Sequence, residues 1–232
     1  MYFVVSAAAA AILLYVLFQS IRSFLLVRKS LKLVGVSRRF ERDIPDAKLR
    51  ILVIGDSTGV GTGSEPQFSI AGRLASDFPD ASIQNESVNG WKVADALRNL
   101  PDVPAKSFDI ILLQIGANDI MRGTPLPGFS AALDSLFKKS TAAGKRVFAL
   151  HSGNIGLAPF FPWPLSVLMR LRTLRYRSEY RRIAEANGVT YVDLYHEAVD
   201  DPFQGKHEFY APDLLHLSAK GYGEWYRSVK IL

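Results

Sequence analysis

The stretch at 50–59, Arg-Ile-Leu-Val-Ile-Gly-Asp-Ser-Thr-Gly, limits the possible folds more than any other part of the chain. Four successive aliphatics, Ile51 to Ile54, are too apolar for a strand with one solvated face. Runs of this kind belong to strands buried on both faces, inside a parallel sheet with helices on either side. The strand stops at once on Gly55-Asp56-Ser57, followed by Gly59, Gly61 and Gly63. In open α/β sheets, ligands and reactive groups gather beyond the carboxyl ends of the strands. Ser57 stands at such an end, among small residues that let a substrate approach the backbone, and is a candidate nucleophile. From this stretch alone a helix cap explains the serine equally well.

From residue 48 onward strand and helix patterns alternate. Strands are predicted at 50–54, 82–88, 109–115, 146–151 and 190–194, and helices at 70–78, 93–100, 128–143, 176–187 and 218–229. This alternation implies βαβ units with right-handed crossovers and hence a parallel sheet. Gly144-Lys145 and Asn187-Gly188 fit helix stops just before strands. The segment 155–180 interrupts the alternation. It carries Pro159-Phe160-Phe161-Pro162-Trp163-Pro164 and then an apolar run at 165–174, which reads as a lid, an acyl-chain wall or a helix covering the core.

The charge pattern isolates the N-terminal region. Residues 22–42 hold Arg22, Arg28, Lys29, Lys32, Arg38, Arg39 and Arg42 against Glu41 alone, which accounts for the whole net charge of +6. A nucleic-acid-binding protein would carry its basic excess on the folded body, so no nucleic-acid partner is expected. Residues 1–21 contain no charged side chain, and about 20 apolar residues cross a bilayer as a helix. No Lys or Arg precedes the run, and it is longer than a signal-peptide core, so a retained single-pass anchor is expected at 1–21. A basic juxtamembrane segment follows at 22–47 and a catalytic domain at 48–232. The positive-inside rule then puts that domain on the cytoplasmic face. Phe24, Val27, Leu31 and Val34 recur at helical spacing, so the basic collar can also lie on anionic headgroups.

Cysteine is absent, which excludes disulfides, thiolate metal sites and a cysteine nucleophile. A serine nucleophile needs a base, a group orienting that base and donors for the oxyanion. The strand at 109–115 leads into Gly116-Ala117-Asn118-Asp119, and the strand at 82–88 into Asn89-Gly90. Asn118 offers a side-chain amide, and Gly90 an unobstructed backbone N–H. Near the C-terminus, Asp213 precedes His216 by three residues, close enough to hold the imidazole in one tautomer. His151 ends a predicted strand and reads as a packed residue more readily than as a substrate contact. His151, His196 and His207 are scattered without ordered carboxylates, so no metal site is expected. The glycine-rich loop lacks the Gly-Lys-Ser/Thr ending of a phosphate loop.

Taken together, Gly-Asp-Ser at 55–57, Gly90, Gly-x-Asn-Asp at 116–119 and Asp-x-x-His at 213–216 resemble the four blocks of the SGNH hydrolases, the GDSL esterases and lipases. The blocks occur in the family's order and cover roughly 48–230. The resemblance implies a three-layer α/β/α sandwich with a five-stranded parallel sheet, flavodoxin-like in arrangement. It implies Ser57 as nucleophile, His216 as base and Asp213 as its orienting partner. Ser57, Gly90 and Asn118 would form the oxyanion hole, with no cofactor and no metal. Thr58 stands where many members have Leu, and Leu217 where many have Pro. The expected activity is ester hydrolysis through an acyl-enzyme, on a lipid-like substrate such as a lysophospholipid or acyl ester. Removal of acetyl groups from a polysaccharide is the alternative enzyme, and an anchored binding protein the non-enzymatic one.

Overall fold

The computed structural model describes residues 2–229, with side chains from Ala9 onward. Met1 of the expected anchor and residues 230–232 of the expected domain lie outside the described residues. Five strands form one parallel sheet: β1 (Leu49–Gly55), β2 (Ala81–Asn85), β3 (Phe108–Gln114), β4 (Gly144–Leu150) and β5 (Thr190–Val192). Their order is β2-β1-β3-β4-β5. The chain leaves β1 toward one edge and resumes as β3 on the other side, which makes the carboxyl ends of β1 and β3 the switch point where sites collect in such sheets.

The four aliphatics of β1 are buried, as read from the sequence, and alternate between two cores. Leu52 and Ile54 face a layer containing α4 (Val93–Asn99), α6 (Leu126–Ala143) and α7 (Leu165–Ala186). Ile51 and Val53 face the opposite layer, built by α3 (Ile70–Asp77) and α8 (Ala219–Ser228). This is the expected three-layer sandwich. Registers such as Val53 with Asn85 and Gly55 with Gln114 bring the ends of β1, β2 and β3 level with one another. Gly55 is fixed by this pairing: a Cβ there would lie 2.4 Å from the carbonyl oxygen of Gln114.

Two regions differ from their sequence reading. The apolar run at 165–174 and the helix expected at 176–187 are one helix, α7, because no breaker separates them. Its buried residues Met169, Thr173, Tyr176, Tyr180, Ile183 and Ala184 keep one spacing through both halves. The N-terminal region is likewise continuous: α1 (Tyr2–Val36) runs through both the uncharged segment and the collar. Its stretch Ala9–Val36 is long and apolar enough to cross a membrane, a test that signal sequences also pass.

The second half of α1 packs on the sandwich. Residues 19, 22, 23, 26, 30, 33, 34 and 37 are the shielded ones, one face at helical period, with Leu26 buried. Beyond the helix, Arg42 pairs with Ile83 at the free edge of β2 through backbone hydrogen bonds of 3.0 and 2.7 Å. Its guanidinium donates to the carbonyls of Ala75, Phe78 and Ala81. The edge strand is thereby covered, which blunts its tendency to pair with other chains.

Candidate active site

The end of β1 turns into α2 (Ser57–Val60), a single helical turn. Asp56 caps it: Oδ1 accepts from Thr58 N and from Thr58 Oγ1, both at 2.9 Å. Asp56 is fully buried, and burial pushes its carboxyl up to about 6 despite those bonds and the nearby His216. Ser57 is the first residue of the turn, where backbone N–H groups lack intrahelical acceptors.

The cap explanation of this motif therefore falls to Asp56, which leaves the hydroxyl of Ser57 to be explained by the cleft it lines. That cleft is mostly apolar. Thr58, Ala117, Met121, Ile155, Ala158 and His216 line it with Ser57, and Phe203, Tyr210, Leu215 and Trp225 extend it.

His216 reaches the cleft from the loop before α8. Its Nδ1 lies 2.6 Å from Asp213 Oδ2, and only a tenth of the imidazole is exposed. Asp213 is wholly buried. Burial alone would raise its pKa, but the His216 hydrogen bond and charge, with the N–H groups of Leu215 and His216 at 3.1 Å on Oδ1, hold it below the ordinary carboxylate value. The loop is closed by Ala211 N donating to His216 O at 2.7 Å and by the Tyr210–Leu217 bridge, with Leu214 at φ 61°. Leu217, standing where many members of the resembled family have proline, is buried against the α3 and α8 layer.

The serine and histidine loops are held against each other by residues the sequence reading passed over. Gly63, at φ 99°, lies so close to the histidine loop that a Cβ would sit 2.4 Å from Leu217 O and 3.2 Å from His216 Cβ. Tyr222, fully buried on α8, donates to Thr62 O at 3.1 Å. An aromatic one turn into the last helix was a usable signal for this contact, and the glycine run was another.

Gly90 and Asn118 are brought together by a second pair of ties. Asn118, in α5 (Ala117–Arg122), donates from Nδ2 to Trp91 O at 3.1 Å. Its neighbour Asp119, also buried, accepts from Val93 N at 2.9 Å. Burial raises the Asp119 carboxyl, and the Val93 N–H opposes that rise. The loop carrying Gly90, at φ 83°, is thus pinned to the start of α5 beside Ala117 of the cleft. An amide nitrogen carries two protons, so the bond to Trp91 leaves one on Asn118 for another acceptor.

His151 is not part of the cleft lining. Its ring is buried edge-on to Tyr180, centroids 5.2 Å apart, and burial lowers its pKa to about 4, which keeps it neutral near pH 7. His196 lies in a loop and His207 opens a short 3-10 helix, both outside the lining. In sum, a buried aspartate orients an imidazole that shares an apolar cleft with a serine. Such a set can transfer acyl groups.

Residues 53–223 match the model of the GDSL-like Lipase/Acylhydrolase family. Esterase TesA of Pseudomonas aeruginosa is 29% identical over 105 residues, 43% of this chain and 52% of that protein, so the match spans about half the length of this curated relative. Among solved structures, an extracellular lipase from Streptomyces rimosus superposes with TM-score 0.62 at 16% identity, covering 77% of this chain and 96% of that one. An acetylxylan esterase from Geobacillus stearothermophilus gives 0.57 at 23% identity over 78% and 92%. At these identities the structural likeness establishes the fold.

Proposed function

The chain belongs to the GDSL-like lipase and acylhydrolase family and is an ester hydrolase, and from that premise we propose that it cleaves lipid-like esters through an acyl-enzyme on Ser57. The observation that carries this reading is the 2.6 Å Asp213–His216 contact at the edge of the cleft that Ser57 lines. In the proposed cycle His216 Nε2 takes the proton of Ser57 Oγ as the oxygen attacks the ester carbonyl. Asp213 keeps the opposite ring nitrogen protonated and aimed. The oxyanion is met by the N–H groups of Ser57 and Gly90 and by the side chain of Asn118. The alcohol leaves with the proton from His216. Water, deprotonated by the same imidazole, then releases the acid and restores the serine.

Two features favour an acyl chain over a sugar. The cleft walls are dominated by Met121, Ile155, Ala158, Leu215 and Phe203, groups that gain by covering methylenes. The apolar α1 brings the enzyme to a bilayer if it spans one, as its length and hydropathy allow. The basic residues that follow favour a cytoplasmic catalytic domain. A C-terminal alkaline phosphatase fusion is then inactive, and an active fusion reverses that orientation. The substrate class is tested by p-nitrophenyl esters from acetate to palmitate, assayed on the full-length protein. The reading predicts kcat/KM rising with chain length to at least eight carbons. A maximum at acetate with loss beyond butyrate replaces it with acetyl removal from a carbohydrate.

A further inference from the structure

Prominent among the exposed apolar side chains outside α1 are Trp163, Leu165, Val167, Leu168 and Leu171, at the mouth-side end of α7. Trp163 is 71% exposed and Leu171 54%. Leu165, Leu168 and Leu171 recur at three-residue steps, so they share one helical face. A contiguous apolar patch of this kind marks a partner surface. What covers it is indicated by α1. Tyr15 donates its hydroxyl to Trp163 O at 2.7 Å. One turn pair further along, Arg22 donates to Phe160 O at 3.2 Å and also to Pro159 O. The patch is therefore continuous with the apolar part of α1 and held at a fixed level along it.

The levels agree with a membrane surface. Both helices change from apolar to basic in the same direction: α1 at Arg22, then Arg28, Lys29 and Lys32; α7 at Arg170, then Arg172 and Arg175. Seven residues separate Tyr15 from Arg22, about 10 Å at the α-helical rise. An amphipathic element sinks its apolar face about 5–10 Å into the headgroup and acyl boundary, and tryptophan is enriched at that depth. With Arg22 among the headgroups, Trp163 and the first turns of α7 reach the acyl region.

We propose that residues 159–171 form a second membrane-inserting element, docked on α1, through which the active-site cleft opens onto the bilayer and receives its ester from the lipid phase. The proposal rests on the reading of α1 as a membrane span. The residues just before this element, Ile155 and Ala158, line the cleft, and Phe160 N donates to Leu214 O at 3.0 Å, inside the Asp213–His216 loop. The inserted element and the catalytic loop are thus hydrogen-bonded to each other. On this proposal an acyl chain enters from the bilayer side and reaches the serine past the Ile155 and Ala158 wall.

The chain has no cysteine, so single labels are clean. Full-length Leu14→Cys, Val167→Cys, Leu171→Cys and Val199→Cys are labelled with NBD and placed in phosphatidylcholine–phosphatidylglycerol vesicles with and without doxyl-labelled lipid. The proposal predicts blue-shifted emission quenched by doxyl lipid at positions 14, 167 and 171, and neither effect at 199, an exposed loop residue. Quenching at 14 with 167 and 171 behaving like 199 overturns the proposal and leaves the anchor standing. Failure at 14 removes the anchor reading and the proposal with it. A blue shift at 167 and 171 without doxyl quenching means protein contact, such as a second copy, and also overturns it. As a functional arm, Leu168→Glu/Leu171→Glu is expected to lower hydrolysis of a vesicle-embedded lipid ester about tenfold, with hydrolysis of p-nitrophenyl acetate unchanged. Equal loss on both substrates counts against a docking role.

Discussion

The two walls of the cleft are built differently. One wall holds Ser57 and Ala117 beyond the ends of β1 and β3, and the Gly90 loop is tied to α5 beside it by Asn118–Trp91 and Asp119–Val93. This wall leans mainly on the sheet, with one further tie to Ser37 beyond α1, whose Oγ accepts from Asn89 Nδ2 at 3.1 Å. The other wall comes from the 152–160 and 201–217 loops, and part of its support lies outside the sandwich: Arg22 of α1 holds Pro159 and Phe160, and Phe160 holds Leu214. In the proposed mechanism the first wall supplies the nucleophile, and the second the base His216 and most of the apolar lining. The side holding Ser57 is thus built on the sheet ends, while the side holding His216 is linked to α1 through Pro159 and Phe160.

The largest expected effect joins the walls. Ser57→Ala and His216→Ala each reduce ester turnover by several orders of magnitude, and the double variant falls little further, because the two act as a unit. Additive losses in steady-state kinetics would break the comparison by separating the walls. Next, Asn118→Ala is expected to cost about 10²–10³ in kcat if its free N–H meets the oxyanion. A change confined to KM would reduce Asn118 to its structural tie with Trp91.

A smaller effect belongs to the first wall alone. The Asp56 carboxyl is raised to about 6 by burial, against an ordinary 3.8. The folded protein therefore binds more protons than the unfolded chain between those values. This contribution is fully present below about pH 3.8 and is lost as pH rises through about 6. Over that window Asp56 is expected to remove about 2–3 kcal/mol. Asp56→Asn keeps an oxygen for the Thr58 donors and removes the slope, which denaturant titrations at pH 4, 5, 6 and 7 measure as a difference between the two proteins. Parallel curves would contradict the placement of a titrating carboxyl beneath Ser57.

How legible each wall was in the sequence follows the same division. Ser57, Gly90 and Asn118 stand in short motifs beyond strands, and Asp213 and His216 in one short motif before the last helix, so the sequence indicates both the residue and its place. Strand cores were legible for a related reason: Ile51–Ile54 admit one environment. Their ends were less so. The strand expected at 82–88 stops at Asn85, where Ser87 N turns to Asn85 Oδ1 at 3.0 Å, while Glu86 N and Val88 N still donate to Val53 O and Gly55 O of β1.

The second wall was hidden because its ties use backbone carbonyls, which leave no mark in sequence. Arg22 read as one charge of a collar; nothing distinguished it from Arg28 or Lys29 until its acceptors were seen. The packed face of α1 was concealed as well. A segment apolar all round gives no sign of which stripe is covered.

Arg22→Ala provides the smallest effect and the finest test of the division. Loss of two partly buried charge-assisted bonds is expected to cost about 1 kcal/mol of stability and to lower kcat/KM on long esters severalfold through the Leu214 loop. Activity on acetate should change less. An equal change on all chain lengths would place the defect in the catalytic loop rather than in access.

The central claim is that Ser57 is the acyl-accepting residue in a cleft completed by His216. A fluorophosphonate with a long alkyl chain, incubated with the full-length protein in vesicles and mapped by peptide mass spectrometry, tests it directly. The account predicts one stoichiometric adduct on the peptide holding Ser57, with labelling abolished in His216→Ala and slowed in Asn118→Ala. An adduct on another serine, or undiminished labelling of Ser57 without His216, would contradict it.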